Sequence, residues 1–171
     1  MKGLPRSLAN ANIMHQAVSK IRLPIDVSIN SATVGAAIGW GTVVLAGLPE
    51  AHLKVIAAAV SIQFSGPGAS ADLADTWAGD FGIGTTPATD ATITAGDADL
   101  IASTALAAAT AEVSPVVIAP QGVDLVLDNT AGALEINLNL LIDAADQVDT
   151  TTVALQAVGY FELTYVTMLD A

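Results

Sequence analysis

Cysteine is absent from the 171 residues, so disulfides and thiolate metal sites are excluded and the fold must stand on packing alone. Histidine occurs only as His15 and His52, which leaves an acid–base or zinc centre without its usual residues. Aromatic residues make up 4% of the chain and nearly a fifth is alanine, so the 53% hydrophobic content overstates the area available for burial. Charged residues reach only 13%, and much of the solvent face falls to Thr, Ser, Asn and small apolar groups. Such a surface suits coverage by copies of the chain or by a partner, because interface cores are poor in charge. Long apolar runs are missing too. The weakly apolar stretch 36–48 is broken by glycines and is too short to span a bilayer. Gly3, Pro5, Arg6, Ser7, Asn10 and Asn12 interrupt any apolar core of a secretory signal. The expectation is a soluble protein made in a cytoplasm, with no membrane partner.

The few cations are unevenly placed. Lys2, Arg6, Lys20 and Arg22 lie in the first 25 residues, which hold no acid, while the remainder sets 17 acids against Lys54, for a net charge of −12. A basic segment on an acidic body is a pattern of arms that reach onto another surface. The acidic body argues against nucleic acid as a partner, since phosphate binding needs a basic face. The division expected is a basic N-terminal arm over 1–24, bracketed by Pro5 and Pro24, and a β domain over 25–171. Within the arm, Leu8, Ala11, Met14, Val18 and Ile21 recur at spacings of three and four after Ser7, which predicts a short amphipathic helix that needs a surface to pack on.

From Ile25 onward the apolar period is two. Ile25, Val27 and Ile29 alternate with Asp26, Ser28 and Asn30, and the strongest signal is 134–142, where Leu134, Ile136, Leu138, Leu140 and Ile142 alternate with Glu135, Asn137 and Asn139. That pattern puts the aliphatic row on a core and the polar row towards solvent or a neighbour. In 153–168, Val153, Leu155, Ala157, Phe161, Leu163 and Tyr165 share one face, and Gly159 interrupts the row as at a bulge or close backbone approach. The acidic stretch 143–152 between these two runs has turn chemistry, which predicts a hairpin or two neighbouring strands of a sandwich. Further strands are expected over 32–48, with Trp40, Val43 and Leu45 buried, and over 53–64, 76–86, 113–119 and 123–127. The segment 100–110 reads as a short helix or an irregular crossing. About eight strands with no helix–strand alternation predict an all-β, antiparallel sandwich of the jelly-roll kind.

Three segments carry a resemblance: Phe81-Gly-Ile-Gly-Thr-Thr, Asp97-Ala-Asp-Leu-Ile-Ala-Ser-Thr-Ala-Leu106, and the closing Gly159-Tyr-Phe-Glu-Leu-Thr-Tyr165. Together with the strand 134–139 they resemble tailed-phage virion structural proteins over about half the chain. The resemblance implies an auxiliary capsid protein, a cement or decoration protein of the outer head surface, commonly a β-sandwich homotrimer whose partner is the major capsid protein. On that reading Lys2, Arg6, Lys20 and Arg22 meet acidic capsid patches, while Leu8, Met14, Val18 and Ile21 supply apolar anchoring. A glycan- or receptor-binding module using loops 65–75 and 87–99, and a minor tail or connector component, are the rival readings.

Catalytic signatures are weak throughout. No Gly-x-Ser-x-Gly elbow occurs, and Gly39-Trp-Gly41 lacks the third glycine of a dinucleotide fingerprint. Asp97 and Asp99 begin like a calcium loop but have Ile101 at its fifth position, so turn capping is the better reading. Asp143, Asp146 and Asp149 read as a solvated loop, and Glu135 and Glu162 as outward carboxylates without a defined cleft. Trp40 and Trp77 read as core. Neither an enzyme nor a cofactor is expected.

Overall fold

The computed structural model describes residues 18–34, 38–148 and 150–168. Eight strands account for most of them: β1 (Val18–Val34), β2 (Ile38–Gly47), β3 (His52–Ser65), β4 (Gly79–Gly84), β5 (Ile101–Leu106), β6 (Val117–Asp128), β7 (Glu135–Ile142) and β8 (Thr152–Met168). Every pairing is antiparallel, and the strands form one sheet in the order β5-β4-β7-β2-β1-β8-β3-β6. The two end strands come back together, with the Ala102 N–H donating to Gln121 Oε1 across β5 and β6 at 2.6 Å. The sheet is therefore nearly closed, and this curling largely shields edges that would otherwise template aggregation.

The inward side chains follow the period of two. Ile136, Leu138, Leu140 and Ile142 of β7 and Leu155, Ala157, Phe161 and Leu163 of β8 are buried in one continuous core with Trp77, Phe64 and Phe81. The Phe64 and Phe81 rings meet at 5.8 Å and 55°, a tilted contact that aromatic quadrupoles favour. Gly159 marks a close approach: a Cβ there would lie 1.9 Å from the Ser61 carbonyl oxygen.

Five expectations are corrected. β7 and β8 are not hairpin partners: β7 lies between β2 and β4, and β8 between β1 and β3. The linker between them crosses from one half of the sheet to the other, where Gln147 is buried and bound to Ser31 by two hydrogen bonds, one accepted from the Ser31 hydroxyl and one donated to its carbonyl. Second, 18–24 is strand, not helix, because β8 offers it a full ladder from Val18↔Val166 to Pro24↔Tyr160. Pro24 is tolerated because β2 pairs only with the far end of β1, leaving this stretch as an edge. Third, 101–106 is strand β5, paired with β4. Fourth, the two strands expected over 113–127 are one strand, β6, in which Pro120 is tolerated at a sheet edge. Trp40, Val43 and Leu45 are half-buried instead of buried, since β2 diverges from β1 after Trp40.

Candidate docking surface

The halves of the sheet differ in what lies outside them. Over β4 and β7 the chain folds back on itself: Asn139 accepts the Ala88 N–H at 2.9 Å and donates to the carbonyls of Thr86 at 3.1 Å and Asp97 at 2.8 Å. Gly82 and Gly84 make room for this loop, whose Ile93 and Gly96 stand where their Cβ atoms would be. Asn137 and Asn139 are thereby buried, on the face that the alternation assigned to solvent or a neighbour; the neighbour is the chain's own loop. Within it the Asp99 carboxylate accepts the N–H and the hydroxyl of Thr85; burial pushes its pKa up, opposed by those hydrogen bonds. Replacing Asn139 with alanine is expected to cost about 2–3 kcal/mol, three hydrogen bonds being lost, and to speed protease nicking within 86–98. Urea unfolding and timed limited proteolysis check both.

The outer face of β1-β8-β3-β6 has no such cover among the described residues. The register sets its side chains in rows across the four strands, such as Pro24, Tyr160, Ser61 and Ile118 in one and Arg22, Glu162, Ala59 and Pro120 in the next. A polar row is the norm for the wet face of an antiparallel sheet. Here Ile118 is 71% exposed, Val18 62%, Val126 57% and Val158 50%. Between them, Ala57, Ala59, Gly122 and Pro120 with Lys20 and Thr164 line a shallow groove of about 370 Å3.

All three described Lys and Arg residues project from this face, and each already has a partner. Lys20 lies 2.9 Å and Arg22 3.9 Å from Glu162, Arg22 also stacks 3.6 Å above the Tyr160 ring, and Lys54 pairs with Asp124. At one end His52 Nδ1 is 3.6 Å from Asp128, whose carboxyl is held below the usual range by the Thr130 hydroxyl and N–H. Counting Asp26, the face is nearly neutral, while the rest of the described chain carries acids with no lysine or arginine.

Of the residues that the charge pattern singled out, Val18, Lys20 and Arg22 stand together on this face. Ile21 points inward and packs against the core. Lys2, Arg6, Leu8, Met14 and His15 lie outside the described residues, as does Asp149. Asp146 accepts the Ala78 N–H at 2.9 Å, and Asp97 the Thr86 hydroxyl at 2.9 Å; both serve loop geometry. No group of three or more His, Cys, Asp or Glu among the described residues is arranged to hold a metal ion, and none of the helices there is long and apolar enough to cross a membrane. Trp77 is core, donating from Nε1 to the Glu112 carbonyl at 2.9 Å. Glu112 itself drew no attention in the sequence, yet its carboxylate is buried and takes the N–H groups of Gly68 and Ser70, each at 2.7 Å.

Fold and surface together define an all-β, antiparallel protein with a nearly closed eight-stranded sheet and one sheet face that is bare and nearly neutral among the described residues. No protein-family model and no curated protein matches the chain. Among solved structures it is similar to chains of infectious bursal disease virus. In the Gx strain the identity is 13%, with 86% of this chain and 31% of that chain covered and a TM-score of 0.37; in the Gt strain the values are 12%, 86%, 32% and 0.37. The virus's VP2 protein in derived T=1 particles gives 14% identity, 86% and 31% coverage and a TM-score of 0.36. The chain spans about a third of the length of these solved chains.

Proposed function

We propose that this chain is a structural protein of a virion, a cement or decoration protein that docks on the outer surface of an assembled head. The observation that carries the reading is the strand order. The nearly closed sheet divides into β1-β8-β3-β6 and β2-β7-β4-β5, joined where β1 meets β2; we read these as the two four-stranded halves of a jelly roll, a recurrent architecture of capsid proteins. The resemblance of 81–86, 97–106 and 159–165 to tailed-phage head proteins points the same way. Lys20 and Arg22 already share Glu162 within the chain, and Arg22 also stacks on Tyr160, so we assign most of the salt-sensitive contact with an acidic shell to Lys2 and Arg6, and the apolar anchoring to Leu8 and Met14. Several such arms on one oligomer would hold far more tightly than one.

Co-sedimentation with heads that lack the protein tests this. The full chain is expected to bind, and to bind less as salt rises; replacing Lys2 and Arg6 with glutamine should reduce binding about tenfold and flatten that salt dependence. Failure of the full chain to bind heads at low salt would refute the reading.

A further inference from the structure

We infer that the bare face of β1-β8-β3-β6 is where a second copy of this chain docks, face to face about a twofold axis running along the strands. The inference stands on the surface itself and does not depend on the virion reading.

Electrostatics selects the face. With 17 acids and a net charge of −12, two copies repel through almost any other pair of surfaces, because the acids outside this face have no described lysine or arginine among them. On this face Lys20 and Arg22 share Glu162, Lys54 pairs with Asp124, and Asp26 completes the balance, so a partner need bring no counter-charge, and one carrying a strong charge of either sign gains little. The charges are spread unevenly over the strands: Lys20, Arg22 and Asp26 stand on β1, Lys54 on β3 and Asp124 on β6. The twofold operation lays β1 of one copy over β6 of the other, because it reverses the order of strands but keeps the rows in register. Lys20 and Arg22 then come over the Pro120–Asp124 segment of the partner copy, and Ile118 over the ring of Pro24.

The area is sufficient. Four strands at about 4.8 Å spacing and about ten residues at about 3.3 Å give a face of roughly 600 Å2, so a pair buries about 1,200 Å2, the lower end of stable interfaces. Ala57, Ala59 and Ser61 on the inner strand β3, with Gly122 beside them on β6, let the two sheets approach closely, while the exposed valines and isoleucine around them supply the apolar surface. Twofold pairing makes the expected species a dimer, in place of the trimer implied by the sequence resemblance.

Sedimentation equilibrium of the purified full chain across a concentration and salt series tests the inference. A monomer–dimer equilibrium is expected that strengthens with salt, because the matched charges lose little while repulsion between the acidic bodies is screened. Ile118→Asp and, on a different strand, Val158→Asp should each weaken it about a hundredfold, since a twofold pair carries the substitution twice. Val44→Asp, at an exposed valine on β2 away from this face, should leave it unchanged. Unchanged urea midpoints for the variants show that folding is intact. A chain that stays monomeric, a trimer, or a dimer indifferent to Ile118→Asp would each overturn the inference. A monomer whose head binding is lost with Ile118→Asp would also overturn it, and would assign the face to the shell.

Discussion

Gly159→Ala removes most of the stability of this protein, by about 4 kcal/mol or more. Gly159 sits in mid-strand between Ile25 of β1 and Ile62 of β3, with φ at +154°, a region that side-chain-bearing residues avoid. A Cβ would lie 1.9 Å from the Ser61 carbonyl oxygen and 2.9 Å from the Ile62 Cα. Those are backbone atoms held by the β3–β8 ladder and cannot swing aside, so β3 and β8 must part at their centre, next to Phe161. Against a total of roughly 5–15 kcal/mol for a domain, that loss leaves little. The contrast is Gly47→Ala, where an added Cβ meets nothing within 4 Å. Urea unfolding followed by tryptophan fluorescence should show a large fall in midpoint for the first and a change within about 0.5 kcal/mol for the second. Equal midpoints would refute the close-approach account.

Glu112→Ala is expected to cost about 2–4 kcal/mol, because a buried carboxylate with two charge-assisted hydrogen bonds is replaced by unpaired backbone donors. The Glu112 side chain gathers the N–H groups of Gly68 and Ser70, while its backbone carbonyl accepts from Gly66 N and Trp77 Nε1, each at 2.9 Å. One residue thus ties the loop after β3 to the buried indole at the entry to β4. Glu112→Gln keeps the shape but presents an amide N–H2 to one of the two donors, so it should recover less than half of the loss. Amide exchange at Gly68 and Ser70 separates this role from general destabilisation: both amides should lose protection in Glu112→Ala even under conditions where the β7 amides keep theirs. Retained protection at Gly68 and Ser70 would show that the carboxylate is not the tie.

How far these features could be read from the chain depends on the distance over which each is decided. Strand 134–142 announces itself because alternation of Ile136, Leu138, Leu140 and Ile142 is a local property of a half-buried surface. The close approach at Gly159 is legible for the same reason, as a gap in an apolar row. The strand at 18–24 was hidden by the helical spacing of Val18 and Ile21 to residues upstream: three apart, they share a face only in a helix, whereas the ladder with β8 turns Val18 outward and Ile21 towards the core. The hairpin expected of β7 and β8 failed because a turn-rich linker looks alike whether it reverses the chain within one half of the sheet or carries it across to the other.

The sequence by itself determined that this is an all-β chain of about eight antiparallel strands, which residues face its core, and that its cations are few and gathered towards one end. Those properties follow from side-chain alternation and composition, which need no partner to be defined. Only the tertiary structure decided that Asn139 and Glu112 are buried ties and that Lys20, Arg22 and Lys54 share one face with Ile118 and Val126. It also decided that one half of the sheet is covered by the chain's own loop while the other is bare among the described residues. These depend on which strands lie side by side, and strand order is set by contacts between residues as far apart as Ile25 and Gly159, whose pairing no local pattern encodes.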